Sequence, residues 1–375
     1  MRDLDPSLAD LGDDHLLGYA RRNELLKDLP TAAPVRVDSP EGTSVDVTVY
    51  PLLVTPQQLR EYQVSGQTFL IALDLDRRVR AARADGCDTI GLGFGLGGVS
   101  GHGAVLRVPG VTVTAGSALA VGSALATARQ AAPGASTLAV VGGGGRVGSA
   151  LAALSVGDVE KIVLVGSGRP DAAERLRAAE HRIYQEALSL IAAGGELTGI
   201  AAALAAEPPV ARWLAEGRSG EQPSAEAVAA HLHETYGSSP FVVATDDLQP
   251  VRQAQLVFSA HSSPVPVLDE KYLADGAVVC DLSFFGTGAE SAKVTSRDDL
   301  RYVRGGLLCV QDGKSVLSDV NAWLSRGELL AGAVEPIVIA LSGSDGAADG
   351  GPLTRRRVDT VVDLARRHGF EPVAS

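Results

Sequence analysis

The residues best suited to chemistry are the glycine-rich run Gly142–Gly148, inside the segment VVGGGGRVGSA. The glycines fit two spacings at once, G-x-G-x-x-G at positions 143, 145 and 148 and G-x-x-G-x-x-G at positions 142, 145 and 148. One glycine closes a turn after a strand, another lets the backbone touch a pyrophosphate, and the third lets the next helix pack closely. The free N–H groups of that helix then face the phosphates. We therefore predict a dinucleotide site made by Gly142, Gly143, Gly144, Gly145, Arg146, Val147 and Gly148.

The residues that follow the next apolar run indicate which dinucleotide binds. An NAD site uses an acidic residue at the end of the second strand to hold the ribose hydroxyls. Here that strand is followed by GSGRP, with no carboxylate before Asp171. The hydroxyl of Ser167 and the guanidinium of Arg169 suit a 2′-phosphate instead. The sequence therefore predicts NADPH rather than NADH, and a solvated loop arginine is the alternative for Arg169.

Two histidines and a serine are candidates for proton donation or cofactor contact beside a bound nicotinamide. Ser259 ends the apolar stretch LVFS and His261 follows closely, and ligands collect at the carboxyl ends of parallel strands. We predict that Ser259 contacts the cofactor and that His261 donates a proton. His102, in the glycine-rich stretch Gly98–Gly103, is a second candidate proton donor. An exposed loop histidine is the alternative for each imidazole.

The sequence lacks the residues that two other kinds of catalytic site need. Tyr184 is followed by QEAL, so the chain has no convincing Tyr-x-x-x-Lys pair after the glycine run. A short-chain dehydrogenase mechanism is therefore disfavoured. The histidines, cysteines and carboxylates also lack the clustered spacing of a zinc site, so we predict no metal.

The segments around the glycine run predict the fold that positions it. Thr137–Val141 and Lys161–Val165 each end in four consecutive apolar residues, and the glycine turn and a short helix separate them. Similar runs follow at Phe241–Ala244, Leu256–Ser259, Ala277–Asp281 and Arg301–Val310. Apolar strands that alternate with helices are typical of a parallel sheet covered on both faces. We predict an α/β fold: a Rossmann-type doubly wound parallel sheet with a second α+β substrate lobe and a helical insertion.

The domain boundaries follow from the same pattern. The Rossmann domain is predicted to span 133–315, including a polar helical insertion at 171–239. Residues 1–132 form the substrate-binding lobe. In this lobe, valines at alternate positions around Pro40–Gly42 predict a hairpin, and the glycine-rich segment Thr89–Ser100 predicts a loop. Helices within 316–375 are predicted to pack back on this lobe.

Composition excludes several classes of function. The 375 residues carry a net charge of −12, which disfavours binding to nucleic acid. Three cysteines argue against a disulfide framework and for a reducing compartment. An acidic start and the lack of an uncharged apolar run of spanning length predict a cytoplasmic protein with no membrane span. A homo-oligomer is left open.

Segments in the same order along the chain resemble the long-chain acyl-(acyl-carrier-protein) reductase family, which is related in outline to glutamyl-tRNA reductase. The matching segments are Val37–Leu59, Thr89–Ser100, Val111–Leu125, Val140–Ala150, Val278–Gly286, Tyr302–Leu308 and Ala365–Pro372. In Val111–Leu125, Ser117 replaces an asparagine of the family's pattern. The resemblance implies that the chain reduces an acyl thioester to an aldehyde with NADPH.

The same resemblance implies a cysteine nucleophile. The family's cysteine lies a few residues after a Gly-Gly pair that aligns with Gly305 and Gly306. Gln311 stands at its position here, and Cys309 lies two residues earlier, on the same side of an extended strand. Cys309 is therefore the first candidate to hold an acyl group, and Cys280, at the end of AVVC, is the second. A buried thiol without a chemical role is the alternative for both.

Three functional hypotheses follow. The first is NADPH-dependent reduction of an acyl or aminoacyl thioester, carried by a carrier protein or coenzyme A, to an aldehyde. The second is a thiol-independent NADP-dependent dehydrogenase or reductase of a small carbonyl, imine or amino-acid-derived substrate, with His261 or His102 as proton donor. The third is a non-catalytic NADP(H)-binding sensor or scaffold that recruits a partner through residues 171–239.

Overall fold

The structure is a computed structural model. It describes residues 33–50, 52, 54, 58–59, 61–62, 68–93, 95–106, 108–166, 170–218, 220–261, 263, 267–283, 296–310, 324, 327–343 and 351–373. In these ranges, every helix is too short or too polar to cross a lipid bilayer.

The amino-terminal part contains a hairpin and a small lobe of helices and strands. Its elements are β1 (Val35–Asp38), β2 (Ser44–Val47), α1 (Phe69–Ala84), β3 (Thr89–Gly91), α2 (Leu96–Val99), β4 (Thr112–Thr114) and α3 (Ser117–Ala131). The antiparallel pairing of β1 with β2 confirms the predicted hairpin. The prediction that Thr89–Ser100 is all loop was wrong, because Leu96 and Val99, spaced one turn apart, pack into a small apolar cluster and hold α2.

A parallel sheet of six strands forms the centre of the molecule. Its segment contains β5 (Thr137–Val141), α4 (Arg146–Leu154), β6 (Lys161–Val165), α5 (Ala172–Ala193), α6 (Gly199–Ala205), α7 (Pro208–Ala215), α8 (Ala225–Tyr236), β7 (Val242–Thr245), β8 (Leu256–Ser259), β9 (Val278–Asp281) and β10 (Arg301–Arg304). The strands lie in the order β7-β6-β5-β8-β9-β10. This confirms the predicted α/β fold with a helix-flanked parallel sheet. The order is compatible with a Rossmann-like fold.

The apolar strands are explained by burial on both faces of the sheet. Ile162 and Leu164 of β6 belong to the main core, where α4 and α5 pack. Val163 and Val165, on the other face, belong to a smaller cluster. Because both faces exclude water, the strand shows no alternation between apolar and polar residues.

The helical segment predicted at 171–239 connects two neighbouring strands. The helices α5 to α8 occupy most of the chain between β6 and β7. The long helix α5 packs on α4 as the crossover between these strands, and α6 and α8 pack on α5. The segment therefore enlarges an ordinary crossover with three additional helices.

The segment Arg301–Val310, predicted to supply the last strand of the sheet, does so only through its first four residues, β10. β10 ends at Arg304, and Gly306 then adopts φ +73°, a left-handed conformation that glycine takes readily. The following strand, β11 (Leu307–Val310), leaves the parallel sheet. It pairs antiparallel with β12 (Glu328–Leu330) and β13 (Phe370–Pro372).

Two carboxy-terminal helices pack on α3. They are α9 (Ala331–Ser342) and α10 (Arg355–Arg367). A Cβ at Gly116 would lie 2.3 Å from Gly332 Cα, so α3 and α9 meet through two glycines. Glu335 of α9 is fully buried, and its carboxylate accepts hydrogen bonds from Thr114 Oγ1 at 2.5 Å and from Leu119 N–H at 2.7 Å. It therefore caps the first turn of α3 from a distant part of the chain.

Three arginines join the chain's last segment to α4 and α5, and we refer to them as the arginine clasp. Arg146 donates to the carbonyl of Gly351 at 2.7 Å, and Arg182 donates to the carbonyl of Leu353 at 2.5 Å. Arg355 pairs with Glu186 at 2.7 Å. Burial, together with the charge of Arg146, lowers the pKa of Arg182.

The stability of the carboxy-terminal packing is expected to depend on pH through His368. This imidazole is 3% exposed and lies 2.7 Å from Ser39 Oγ through Nδ1 and 2.9 Å from Ser342 Oγ through Nε2. Burial lowers its pKa below the ordinary value of 6.5. The unfolded chain therefore binds this proton more readily, so the stabilisation is complete above pH 6.5 and is lost as the pH falls through the folded-state pKa.

We expect denaturant unfolding midpoints to show this effect when wild type is compared with His368→Asn. The difference between the two proteins should be largest at neutral pH and should shrink on acidification. A difference that is constant from neutral to mildly acidic pH would rule out the titration of His368 as its source.

Candidate functional site

The glycine turn follows β5 directly, and its first glycine is required by both conformation and space. Gly142 has φ +90°, in the region where a side chain is strained. A Cβ at this position would lie 2.6 Å from Ala260 O and 3.0 Å from His261 Cα. The turn after β5 and the chain after β8 therefore touch through bare backbone.

The last glycine of the turn lets α4 approach β5. A Cβ at Gly148 would lie only 2.3 Å from the carbonyl oxygen of Gly142. The same oxygen accepts the N–H of Gly145 at 2.9 Å, which closes the turn. These positions correspond to the turn and packing roles expected of the first and third glycines in a dinucleotide loop.

The first turn of α4 offers hydrogen-bond donors at the mouth of this turn. The N–H groups of Val147 and Gly148 bond to no acceptor in the part of the chain that the structure describes. No side chain caps the helix at Gly145, where a serine or aspartate would often do so. The partial positive charge at this helix end, with its free N–H groups, suits a phosphate oxygen.

The turn lies where the strand order of the sheet reverses. β5 pairs with β6 on one side and with β8 on the other, so Val141 lies between Val165 and Ser259 at the carboxyl edge. In doubly wound sheets, ligands bind in the crevice at this point. Ser259 and His261 lie on the β8 side of that crevice.

A buried network of polar groups continues along the same edge. The Asp281 carboxylate accepts the N–H and hydroxyl of Ser283 at 2.8 and 2.6 Å and the Tyr302 hydroxyl at 2.8 Å. Because the Ser283 proton points to Asp281, the Ser259 hydroxyl 2.9 Å away donates to Ser283. Ser259 is fully buried, so its Oγ helps to order the ends of β8, β9 and β10.

Neither thiol occupies an environment that favours a nucleophile. Cys280 is fully buried against α3, and this burial, with the charge of Asp281, raises its pKa. Cys309 lies on β11, in the antiparallel sheet, with Sγ 3.5 Å from the carbonyl of Glu371. Partial burial and the carboxylates of Glu371 and Glu328 raise its pKa. A thiolate is disfavoured in both places.

The two candidate histidines belong to different segments. His261 lies beside Gly142, and its Nδ1 accepts the N–H of Ser263 at 3.1 Å. His102 lies in the amino-terminal lobe with φ +58°, and its backbone N–H donates to Gly97 O at 2.7 Å. Of the two, His261 is the one that the structure brings against the glycine turn.

The residues predicted to hold a 2′-phosphate, Ser167 and Arg169, lie outside the described residues. A residue that sequence reasoning missed, Arg175, lies against the turn: a Cβ at Gly144 would be 3.0 Å from Arg175 Cβ. Its guanidinium pairs with Asp171 at 2.6 Å. No sequence signal distinguishes Arg175 from other arginines, because its position depends on how α5 packs.

A cavity of about 200 Å³ lies at the opposite edge of the sheet. Pro133 and Asp158, which precede strands, line it together with Leu256, the first residue of β8. Arg129 and Asp158, both lining residues, form an ion pair of 2.9 Å. Ligands of such sheets bind at the carboxyl edge, so this cavity lies away from the candidate site.

Comparison of the chain with protein-family models and with curated proteins gave no match in either case. The resemblance to acyl-(acyl-carrier-protein) reductases therefore stays a prediction.

Proposed function

We propose that the chain is an NADP(H)-dependent oxidoreductase whose turn Gly142–Gly148 holds the cofactor pyrophosphate. The observation that carries this proposal is the distance of 2.3 Å between a Cβ built at Gly148 and the Gly142 carbonyl oxygen. Only glycine permits this approach, which sets the first turn of α4 directly beside the end of β5. The location of the turn at the point where the strand order reverses supports the same reading.

The described residues fit such a cofactor. Val147 and Gly148 have N–H groups suited to the phosphates, and His261, beside Gly142, would lie next to the nicotinamide. The bound cofactor would supply a hydride at its nicotinamide ring. His261 would then donate a proton to the heteroatom of the substrate as the hydride reaches the neighbouring carbon.

The environments of the thiols favour hydride transfer without a covalent intermediate. Both cysteine pKa values are raised, and Cys309 lies in a different sheet from the crevice strands. We therefore propose a small carbonyl, imine or amino-acid-derived compound as the substrate class. An acyl thioester is the second candidate, supported by the order of the segments that resemble the acyl reductases. A cofactor-binding scaffold without catalysis is an outcome of the test.

The test combines cofactor binding with two substitutions. Wild type is expected to gain thermal stability with saturating NADPH, and a carbonyl and thioester panel should then identify a substrate. His261→Asn should lower kcat by about 10²–10⁴-fold, the usual contribution of a general acid. Cys309→Ala should leave turnover within about twofold of wild type.

Each outcome separates one hypothesis from the others. If Cys309→Ala abolishes reduction of a thioester, a covalent mechanism through this thiol replaces the proposed direct hydride transfer. NADPH binding without oxidation across the panel would identify a scaffold. The whole proposal is abandoned if neither NADPH nor NADH changes the melting temperature or the intrinsic fluorescence.

A further inference from the structure

We propose that Arg175 recognises the 2′-phosphate of NADP(H) and so sets the preference between the two dinucleotides. This inference rests on the proposed function, because it names the group that the same site selects. Arg175 lies on α5, whereas the sequence pattern predicts a 2′-phosphate site in the preceding loop, at Ser167 and Arg169.

Two close contacts hold the first turn of α5 in place. A Cβ at Gly144 would lie 3.0 Å from Arg175 Cβ, so the base of this side chain lies on the glycine turn. A Cβ at Gly166 would lie 3.0 Å from Leu176 Cδ1, so the next residue packs against the end of β6. Leu176 is buried, which holds this turn of the helix in the core. Arg175 is therefore held between the phosphate turn and the carboxyl end of the second strand.

That location is where the adenosine ribose lies in doubly wound dinucleotide folds. The ribose binds at the end of the strand that follows the glycine motif, and a 2′-phosphate needs a nearby arginine. Here that strand is β6, which ends at Val165 next to β5. A guanidinium that starts at the glycine turn and points to solvent is placed to meet the 2′-position.

The ion pair of Arg175 leaves the side chain available to a phosphate. Nε lies 2.6 Å from Asp171 Oδ2, and the two side chains are 48% and 40% exposed. Ion pairs with this exposure are weak, so a dianion can replace or share the carboxylate at little cost. Among the described residues, Asp171 is the bonding partner of this guanidinium, and only Nε is used. The Nη groups remain to bind a phosphate through two parallel hydrogen bonds.

The experiment measures NADPH and NADH dissociation constants by titration of the full-length protein. We expect wild type to prefer NADPH. Arg175→Gln should weaken NADPH binding by about 10- to 100-fold, the usual effect of losing a charge-assisted bond. The NADH dissociation constant of this variant should stay within about twofold of the wild-type value. Arg177→Gln is the matched control, since Arg177 is also exposed on α5 but lies on another side of the helix. Asp171→Asn, which removes the competing carboxylate, should bind NADPH at least as tightly as wild type.

The results distinguish this inference from the proposed function. Equal losses for both cofactors in Arg175→Gln, or no loss for either, would overturn the assignment of Arg175 and leave the oxidoreductase proposal standing. A wild-type preference for NADH would overturn it as well. If the wild-type protein binds neither dinucleotide, the proposed function itself fails and this inference fails with it.

Discussion

Gly148→Ala is expected to lower the affinity for NADPH by at least about 100-fold, equivalent to about 2.8 kcal/mol. The added methyl carbon would lie 2.3 Å from the Gly142 carbonyl oxygen, a distance that carbon and oxygen atoms do not tolerate. The obstacle is backbone, so no side-chain rotation relieves it. The start of α4 must move away from the glycine turn. The N–H groups at the start of this helix then no longer point at the pyrophosphate. Isothermal titration with NADPH measures the loss.

Gly157→Ala is the matched control for this substitution. Gly157 lies shortly after α4, and its added Cβ would be 3.7 Å from Leu190 Cδ1, an ordinary contact. This variant should bind NADPH as wild type does. Wild-type affinity in Gly148→Ala would mean that the turn does not contact the cofactor, and the proposed function would then lose its main support.

Glu335→Ala is expected to reduce the free energy of unfolding by about 2–4 kcal/mol. The substitution leaves Thr114 Oγ1 and the N–H of Leu119 without their acceptor in a fully buried region. Chemical denaturation monitored by circular dichroism measures the change.

Two further variants show whether the carboxylate itself is responsible. Glu335→Gln keeps one acceptor oxygen and should lose about half as much stability. Glu174→Ala, on the exposed face of α5, should stay within about 0.5 kcal/mol of wild type. A Glu335→Ala protein as stable as Glu174→Ala would show that the buried carboxylate contributes no net stabilisation.

The strands of the sheet were predictable because burial on both faces leaves a plain sequence pattern. Segments such as Ile162–Val165 are apolar without interruption, and few other local structures explain such runs. The error at Arg301–Val310 has a physical cause: apolar residues continue beyond Gly305 and Gly306, while φ +73° at Gly306 turns the chain into another sheet. Composition alone does not mark that change of direction.

The candidate site was predictable where it depends on local backbone and not where it depends on packing. Gly142 is required by its left-handed φ and Gly148 by a contact within the turn, so the spacing of these glycines is a local signal. Arg175 and Tyr302 reach the site through the docking of α5 and the register of β10, and neither is visible in a local pattern. The family resemblance predicts a catalytic role for Cys309, whereas strand pairing sets this residue between Glu328 and Glu371.

The arginine clasp gives the molecule a local electrostatic character opposite to its overall charge. In the clasp, Arg146 and Arg182 donate to backbone carbonyls, and Arg355 pairs with Glu186. A protein of net charge −12 repels polyanions at long range. An anion that comes close to the clasp meets three neighbouring guanidinium groups, whose attraction opposes this repulsion locally. Adding salt would weaken both effects and leave short-range contacts to determine where the ligand binds.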